Sequence, residues 1–244
     1  MITSSANQRL KLVRRLRARR QRERLGLFVC EGEDIVAAAL DAGLLPLEAL
    51  VDGEHPALVE RLPAAEAVAP NLLADVSALA HPPRVLAVFR RADLPALAAE
   101  RTQGARLALW RVADPGNVGT LLRAADALGA AFVALSAGCA DPTGPKALRA
   151  SAGAVFRVPL ARFEEAAGRR VALVAHGGRP LPDVDLGQAV TLVVGAEREG
   201  LPDDVIAACD ETATIPLAPR AESLNAAMAG AIALYEWRRQ NRGE

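Results

Sequence analysis

Short aliphatic runs recur through the second half of the chain, each separated from the next by enough residues for one helix. This alternation most constrains what the chain can fold into. The runs are Leu107–Val112, Phe132–Leu135, Val155–Val158, Val171–Ala175, Thr191–Val194 and Thr212–Ile215. Their near-continuous apolar character suits strands buried on both faces. Helices fit between them at 117–129, 146–152, 162–167 and 203–209, and a long last helix fits from Glu222 to Gln240. Such alternation predicts an α/β fold with a mostly parallel sheet covered on both sides.

The first ninety or so residues predict a smaller α/β unit. A helix from Asn7 to Arg24 places Leu10, Val13 and Leu16 on a narrow apolar stripe, with Leu25 extending it, and Gly26 ends it. Leu27–Cys30 reads as a strand and Glu33–Ala42 as a helix closed by Gly43. Further strands fall near Ala49–Val51, Ala67–Ala69 and Val85–Phe89, with helical stretches near 56–61 and 72–79. Residues 92–105 have no strand character, so the chain divides into a unit of 1–95 and a unit of 105–244.

The formal net charge is zero, but the charge is unevenly spread. Residues 9–24 hold nine cations (Arg9, Lys11, Arg14, Arg15, Arg17, Arg19, Arg20, Arg22, Arg24) against the single anion Glu23. A run like this either meets phosphates or forms a solvated helix face, and the run alone does not choose. Cys30, Cys139 and Cys209 are widely spaced and odd in number, and His55, His81 and His176 form no cluster with them. Neither a disulfide framework nor a metal site is expected. The cations near the N-terminus are not followed by an uninterrupted apolar segment as in a signal peptide, and no stretch approaches the length of a membrane span, so the reading is a soluble, cytoplasmic protein without a membrane partner.

In a parallel sheet, ligands bind at the loops beyond the carboxyl ends of the strands. Three such loops carry polar residues. Asp114-Pro115-Gly116-Asn117 runs into Val118-Gly119-Thr120-Leu121-Leu122-Arg123, where Asn117 can cap the following helix and Arg123 lies nearly two turns into it. Arg123 is either a functional cation or a surface partner of Asp126 at i+3. Gly195-Ala196-Glu197-Arg198-Glu199-Gly200-Leu201 follows an apolar strand, and Leu201 stands where a P-loop needs lysine. Ile215-Pro216-Leu217-Ala218-Pro219-Arg220-Ala221-Glu222-Ser223-Leu224-Asn225 is stiffened by two prolines and leads into the last helix, opened by Ser223 or Glu222. There Leu224, Met228, Ala231 and Tyr235 share one face, of which Leu224, Met228 and Ala231 read as core packing, and the small residues around Gly230 permit close helix approach.

In their order and spacing these loops resemble the three motifs of the SpoU/TrmH family of the SPOUT superfamily. The segment from Cys139-Ala140-Asp141-Pro142 through Lys146-Ala147-Leu148-Arg149 to Val158-Pro159 is similar to the stretch between the first two motifs. Ile2-Thr3-Ser4, Asn7, Gly26-Leu27-Phe28-Val29 and Glu31-Gly32 resemble the family's ribosomal-protein-like RNA-binding domain, with acidic Glu33-Asp34 where a basic residue is frequent. The resemblance implies a deep trefoil knot, which ordinary chain topology almost never contains, and a homodimer. It implies S-adenosylmethionine as cofactor, held near Gly195, Ile215 and Leu224. It puts Asn117, Arg123, Glu197, Ser223 and Asn225 at the catalytic positions. Arg9, Lys11, Arg14, Arg15 and Arg19, with Lys146 and Arg149, become the cations expected to meet RNA. The implied reaction is methylation of a ribose 2′-hydroxyl, with Arg123 acting either in deprotonation or as an electrostatic clamp. The Asp114–Asn117 motif and the two-domain layout look more like members acting on 23S rRNA than those acting on tRNA. A non-catalytic RNA-binding or ribosome-assembly protein is the alternative of a different class.

Overall fold

In the computed structural model the described residues are 1–79, 81–97 and 104–241. The segment expected to join the two units falls in part on 98–103, outside the described residues.

The N-terminal unit begins with α1 (Gln8–Leu16) and α2 (Arg19–Leu25). It continues through β1 (Leu27–Glu31), α3 (Glu33–Asp41), β2 (Glu48–Asp52), α4 (Pro56–Arg61), β3 (Ala65–Val68), α5 (Pro70–Val76) and β4 (Val85–Arg90). Its sheet has the order β1-β4-β2-β3, antiparallel on both sides of β4 and parallel between β2 and β3. Leu10, Val13 and Leu16 are buried against Val29, Leu50 and Leu86, which is why α1 keeps so narrow an apolar stripe.

The single helix expected over 7–24 is two helices, because Ala18 adopts an extended conformation between them. Arg22 supplies the physical reason. It is buried, and its Nη1 donates to the carbonyls of Leu16 at 2.9 Å and Arg17 at 2.8 Å, so it satisfies the end of α1 from the second turn of α2. Its Nε donates to Asp141 Oδ2 at 2.8 Å, across to the C-terminal unit.

That unit contains β5 (Arg106–Leu109), α6 (Pro115–Leu128), β6 (Phe132–Leu135), α7 (Pro145–Ser151), β7 (Leu160–Arg162) and β8 (Arg169–Leu173). β9 (Arg179–Pro180), β10 (Val190–Val194), α8 (Asp203–Ala207), β11 (Glu211–Thr214) and α9 (Ala226–Gln240) complete it. The order is β7-β6-β5-β10-β8-β11-β9, and each of these neighbouring pairs is parallel.

Two assignments fail within it. Val155–Val158 is not a strand: Ala154–Phe156 forms a 3-10 turn after Ala152 and Gly153, both in left-handed backbone, and the strand follows at Leu160. The run is apolar because it is buried between the units, where Phe156 stacks on Phe28 with ring centroids 6.3 Å apart. The helix expected at 162–167 is only a 3-10 turn, Phe163–Glu165, which packs Phe163 edge-on against Trp110 at 5.1 Å.

One buried apolar cluster runs through both units, from Phe28, Val36 and Phe89 to Leu121, Leu148 and Leu192. Beside it sits the Arg22–Asp141 pair, with Asp141 Oδ1 also accepting from Thr143 N at 2.9 Å and Thr143 Oγ1 at 2.7 Å. Burial pushes the Asp141 carboxyl up, but the Thr143 hydrogen bonds and the charges of Arg91 and Arg22 outweigh it and hold the group below the usual carboxylate range. A carboxyl depressed in the folded state contributes stability above its unfolded value of about 3.9 and loses it as pH falls through the folded value. Arg22→Met should therefore cost about 3–5 kcal/mol in urea unfolding at neutral pH, since it strands a buried charge. The gap between variant and wild type should close below about pH 4. A cost under 1 kcal/mol at pH 7 would refute this assignment.

Candidate functional site

The parallel ladder brings the C-terminal ends of β8, β10 and β11 side by side, and a cavity of about 180 Å³ opens there. Its lining includes Leu173, Val174 and Ala175 after β8, Gly195 to Arg198 after β10, Ile215 and Leu217 after β11, and Ser223 and Leu224 before α9. The three residues expected to hold a cofactor, Gly195, Ile215 and Leu224, thus line one cavity, with Ser223 and Glu197 beside them.

Gly195 is dictated by packing. The loop after β10 folds back so that Ala196 N donates to Gly200 O and Gly200 N to Ala196 O, each at 3.0 Å. A Cβ on Gly195 would lie 2.3 Å from Gly200 C and 2.6 Å from Leu201 N. The fold-back turns Glu197 toward α6.

At the N-terminus of α6 the cap is Asp114 rather than Asn117: its Oδ1 accepts from Gly116 N at 2.6 Å and Asn117 N at 3.1 Å. Pro115 takes the first helical position, where no N–H is needed. Asn117 is thereby released from capping. Its Nδ2 donates to Glu197 Oε1 at 2.9 Å, and its Oδ1 accepts from Asn225 Nδ2 at 3.0 Å. The direction follows from chemistry: a carboxylate only accepts, so Asn117 turns its amide donors to Glu197 and its carbonyl to Asn225. Asn225 is the true N-cap of α9, accepting from Ala227 N at 2.9 Å and Met228 N at 3.3 Å, so the helix opens at Ala226 rather than at Glu222 or Ser223. Close packing of α9 on α6 at Gly230, where a Cβ would lie 2.4 Å from Leu121 Cδ2, holds the two asparagines in reach.

Glu197 also accepts from Asp114 N at 3.1 Å and Ala113 N at 3.3 Å. Partial burial raises its pKa, but the Asn117 and backbone hydrogen bonds prevail and hold it below the usual carboxylate range. Glu197 is therefore an anion at neutral pH, suited to facing a cation and unsuited to taking a proton. Lys146 Nζ donates to Asp114 Oδ2 at 2.8 Å, and that bond leads the interactions that lower the Asp114 pKa.

Arg123 is not brought to this network. It is exposed on α6 and makes no hydrogen bond or ion pair among the described residues. It does not pair with Asp126 either, which instead accepts from Arg157 Nε at 3.0 Å and Nη2 at 2.6 Å. Arg149 is exposed on α7. Of the N-terminal cations, Arg9 pairs with Glu48 and Glu66, Arg14 donates to Ser5 O, and Arg19 binds Glu23 and the Cys139 carbonyl. Lys11 and Arg15 are exposed without such partners among the described residues. Met228, assigned to core packing, is 57% exposed, and with Ile232 and Tyr235 it forms an exposed stripe on α9. The lining at Leu173–Ala175 was not anticipated; its signal was the carboxyl end of a strand neighbouring β10.

Residues 104–235 match the SpoU rRNA Methylase family, and residues 7–87 match an MRM3-like substrate binding domain. The chain belongs to the SpoU family. It is 30% identical over 248 residues to the 23S rRNA (guanosine(2553)-2′-O)-methyltransferase of Bacillus subtilis, covering 97% of this chain and 98% of that one. The SpoU methyltransferase AviRb of Streptomyces viridochromogenes, solved in complex with AdoMet, superposes with a TM-score of 0.84 at 31% identity over 97% of this chain and 99% of that one. An AdoMet-bound rRNA methyltransferase from Sinorhizobium meliloti gives 0.85 at 31% identity, over 98% and 97%.

In this SpoU-family chain Gly195→Ala should disrupt the loop that presents Glu197. We expect nucleoside-cofactor affinity by calorimetry to fall at least tenfold while urea stability drops only modestly. An unchanged affinity would mean that the Gly200 approach is not needed to shape the cavity.

Proposed function

We propose that this chain transfers a methyl group from S-adenosylmethionine to a ribose 2′-hydroxyl of ribosomal RNA. The carrying observation is the hydrogen-bonded chain Asn225–Asn117–Glu197, which ties the three strand-end loops together at the mouth of one cavity. The cavity suits the cofactor. Its walls at Leu173, Val174, Ile215, Leu217 and Leu224 are apolar enough for a purine, and the anionic Glu197 lies at its edge for a positive centre. The backbone N–H groups of Leu217 and Leu224 have no partner among the described residues and can receive polar edges of the ligand. When bound, the cofactor supplies an electrophilic methyl carbon on a sulfonium.

The chain's own task is to orient the ribose and handle its proton. Asn117 and Asn225, fixed by their mutual bond, hold amide groups in set directions beside the cavity. Glu197 orients Asn117 and keeps the site negative. Arg123, assigned by its motif position, serves either as an electrostatic clamp on the adjoining phosphate and developing alkoxide or in deprotonation. The N-terminal unit docks the RNA, with exposed Lys11 and Arg15 as phosphate contacts. The strand order β5-β10-β8-β11, followed by the return of α9 onto α6, supports the trefoil path that the motifs imply. Among the described residues no helix can cross a membrane and no group of three ligating side chains could hold a metal.

The decisive experiment maps 2′-O-methyl sites in ribosomal and transfer RNA from cells with and without the gene, backed by transfer of labelled methyl to protein-free RNA in the presence of a chelator. One ribosomal site should disappear with the gene. Arg123→Lys should slow single-turnover methylation by about two to three orders of magnitude, and Arg123→Ala should abolish it, with cofactor affinity preserved in both. Near-normal turnover by Arg123→Ala would remove that residue from the mechanism.

The exposed stripe Met228–Ile232–Tyr235 lies on the helix that caps the site and suits a second copy of this chain. Arg123 sits on neighbouring α6, so such a copy would also decide whose cavity it serves. Sedimentation at tens of micromolar should give a dimer, and Met228→Glu with Ile232→Glu a monomer. A wild-type monomer would sink the assignment.

A further inference from the structure

A second concavity, a groove of about 400 Å³, lies between the two units at the carboxyl ends of β6 and β7. Leu135, Ala137, Leu160 and Ala161 give it an apolar floor, and Arg19, Arg91 and Arg162 stand around it. Two carboxylates also line it, but both are already engaged. Asp141 is bonded to Arg22 and Thr143, and Glu165 accepts from the Arg162 backbone at 2.6 Å. Arg91 approaches Asp141 Oδ1 only to 3.5 Å, and its Nη1 is buried without a hydrogen-bond acceptor. A buried guanidinium donor without an acceptor is costly and calls for an explanation. Arg162 keeps 80% of its side chain exposed, and its contact with Glu165 is a loose 3.5 Å.

The groove shares a rim with the cavity already described. Both lie at the carboxyl ends of strands of one sheet, in the order β7-β6-β5-β10-β8. From the middle of β7/β6 to the middle of β10/β8 is three strand spacings, about 14 Å. Between them, beyond β5, lies Arg111, exposed and held at a φ of 51°, a backbone conformation that favours glycine. A few nucleotides of single strand cover that distance.

Resting on the methyltransferase reading, we infer that this groove holds a nucleotide of the substrate RNA flanking the methylated one, its base on the Leu135–Leu160 floor and its phosphate among Arg19, Arg91 and Arg162. Apolar floor and guanidinium rim are the two surfaces that an unstacked nucleotide presents itself to. The groove would thus select for a strand opened out of a duplex and set its register against the cavity.

The test uses the full chain, protein-free ribosomal RNA as probe, and two variants. Arg162→Glu alters an exposed side chain and leaves the interface intact; Arg91→Ala removes the guanidinium nearer Asp141. Each should weaken RNA binding about tenfold at moderate salt and lower the slope of log affinity against log salt by about 0.7–0.9 per lost phosphate contact. KM for RNA should rise more than kcat falls, with cofactor affinity unchanged. Photocross-links from 4-thiouridine-substituted RNA should fall on 135–142 or 160–162. Wild-type affinity and salt slope in Arg162→Glu, or no cross-link to these segments, would overturn the inference. Wild-type protein that binds RNA and cofactor but transfers no methyl would remove the enzymatic reading, and the binding comparison would still decide the groove.

Discussion

The large sheet has one constraint from which the site follows: its paired strands all run in one direction. Every strand-end loop with polar residues therefore arrives on the same rim, whatever its distance along the sequence. Asp114, Glu197 and Asn225 are separated by 83 and 28 residues, yet one pair of amides links their loops. The ladder sets the coarse position, and two packing demands refine it. Gly195 lets the loop after β10 fold back on Gly200, and Gly230 lets α9 lie close on α6. Loss of either contact would separate Asn117 from a partner without touching a polar atom.

The Arg22–Asp141 pair works on a larger scale. Such pairs contribute little net stability, because desolvation offsets attraction, but they penalise strongly any arrangement that leaves one charge alone. Here the penalty acts on the placement of one unit against the other. The same guanidinium also receives the end of α1, so the break in the basic run, the docking of the units and the walls of the interdomain groove have one cause. A single-sign run of cations in the sequence is thus divided by the fold. Arg22 is internal, Arg9 and Arg19 are paired with carboxylates, and Lys11 and Arg15 face solvent.

Much of this was legible from pattern. The strands at Phe132–Leu135 and Thr191–Val194 and the helix stop at Gly26 follow from periodicity, and parallel-sheet logic puts the polar loops on one rim; that Gly195, Ile215 and Leu224 belong together came from the motif resemblance, and they line one cavity. The misreadings share a physical origin: apolar character reports burial, not what buries it. Val155 and Phe156 are apolar because they lie between the two units, and a turn serves as well as a strand for that. Met228 is apolar yet exposed, which periodicity alone cannot separate from a core face. The caps failed for a different reason. Asp114 and Asn117 both suit an N-cap by residue type, and only the position of Pro115, fixed at the first helical residue, decides between them.

The remaining question of mechanism is which group takes the ribose proton, and the site narrows it by elimination. Glu197 is the carboxylate nearest the cavity, but its four donors, the Asn117 amide and the N–H groups of Asp114, Ala113 and itself, stabilise the anion and weaken it as a base. Asn117 and Asn225 cannot accept a proton at neutral pH, and Ser223 would need a base of its own. Asp114 is held by Lys146 and by two backbone donors. None of these groups gains from protonation. An attacking hydroxyl activated by alignment and by stabilisation of developing negative charge, with its proton passing to water, asks less of them than general-base catalysis does. Under that scheme a guanidinium acts without deprotonating, and the rate should follow pH weakly rather than with the slope of one ionising protein group.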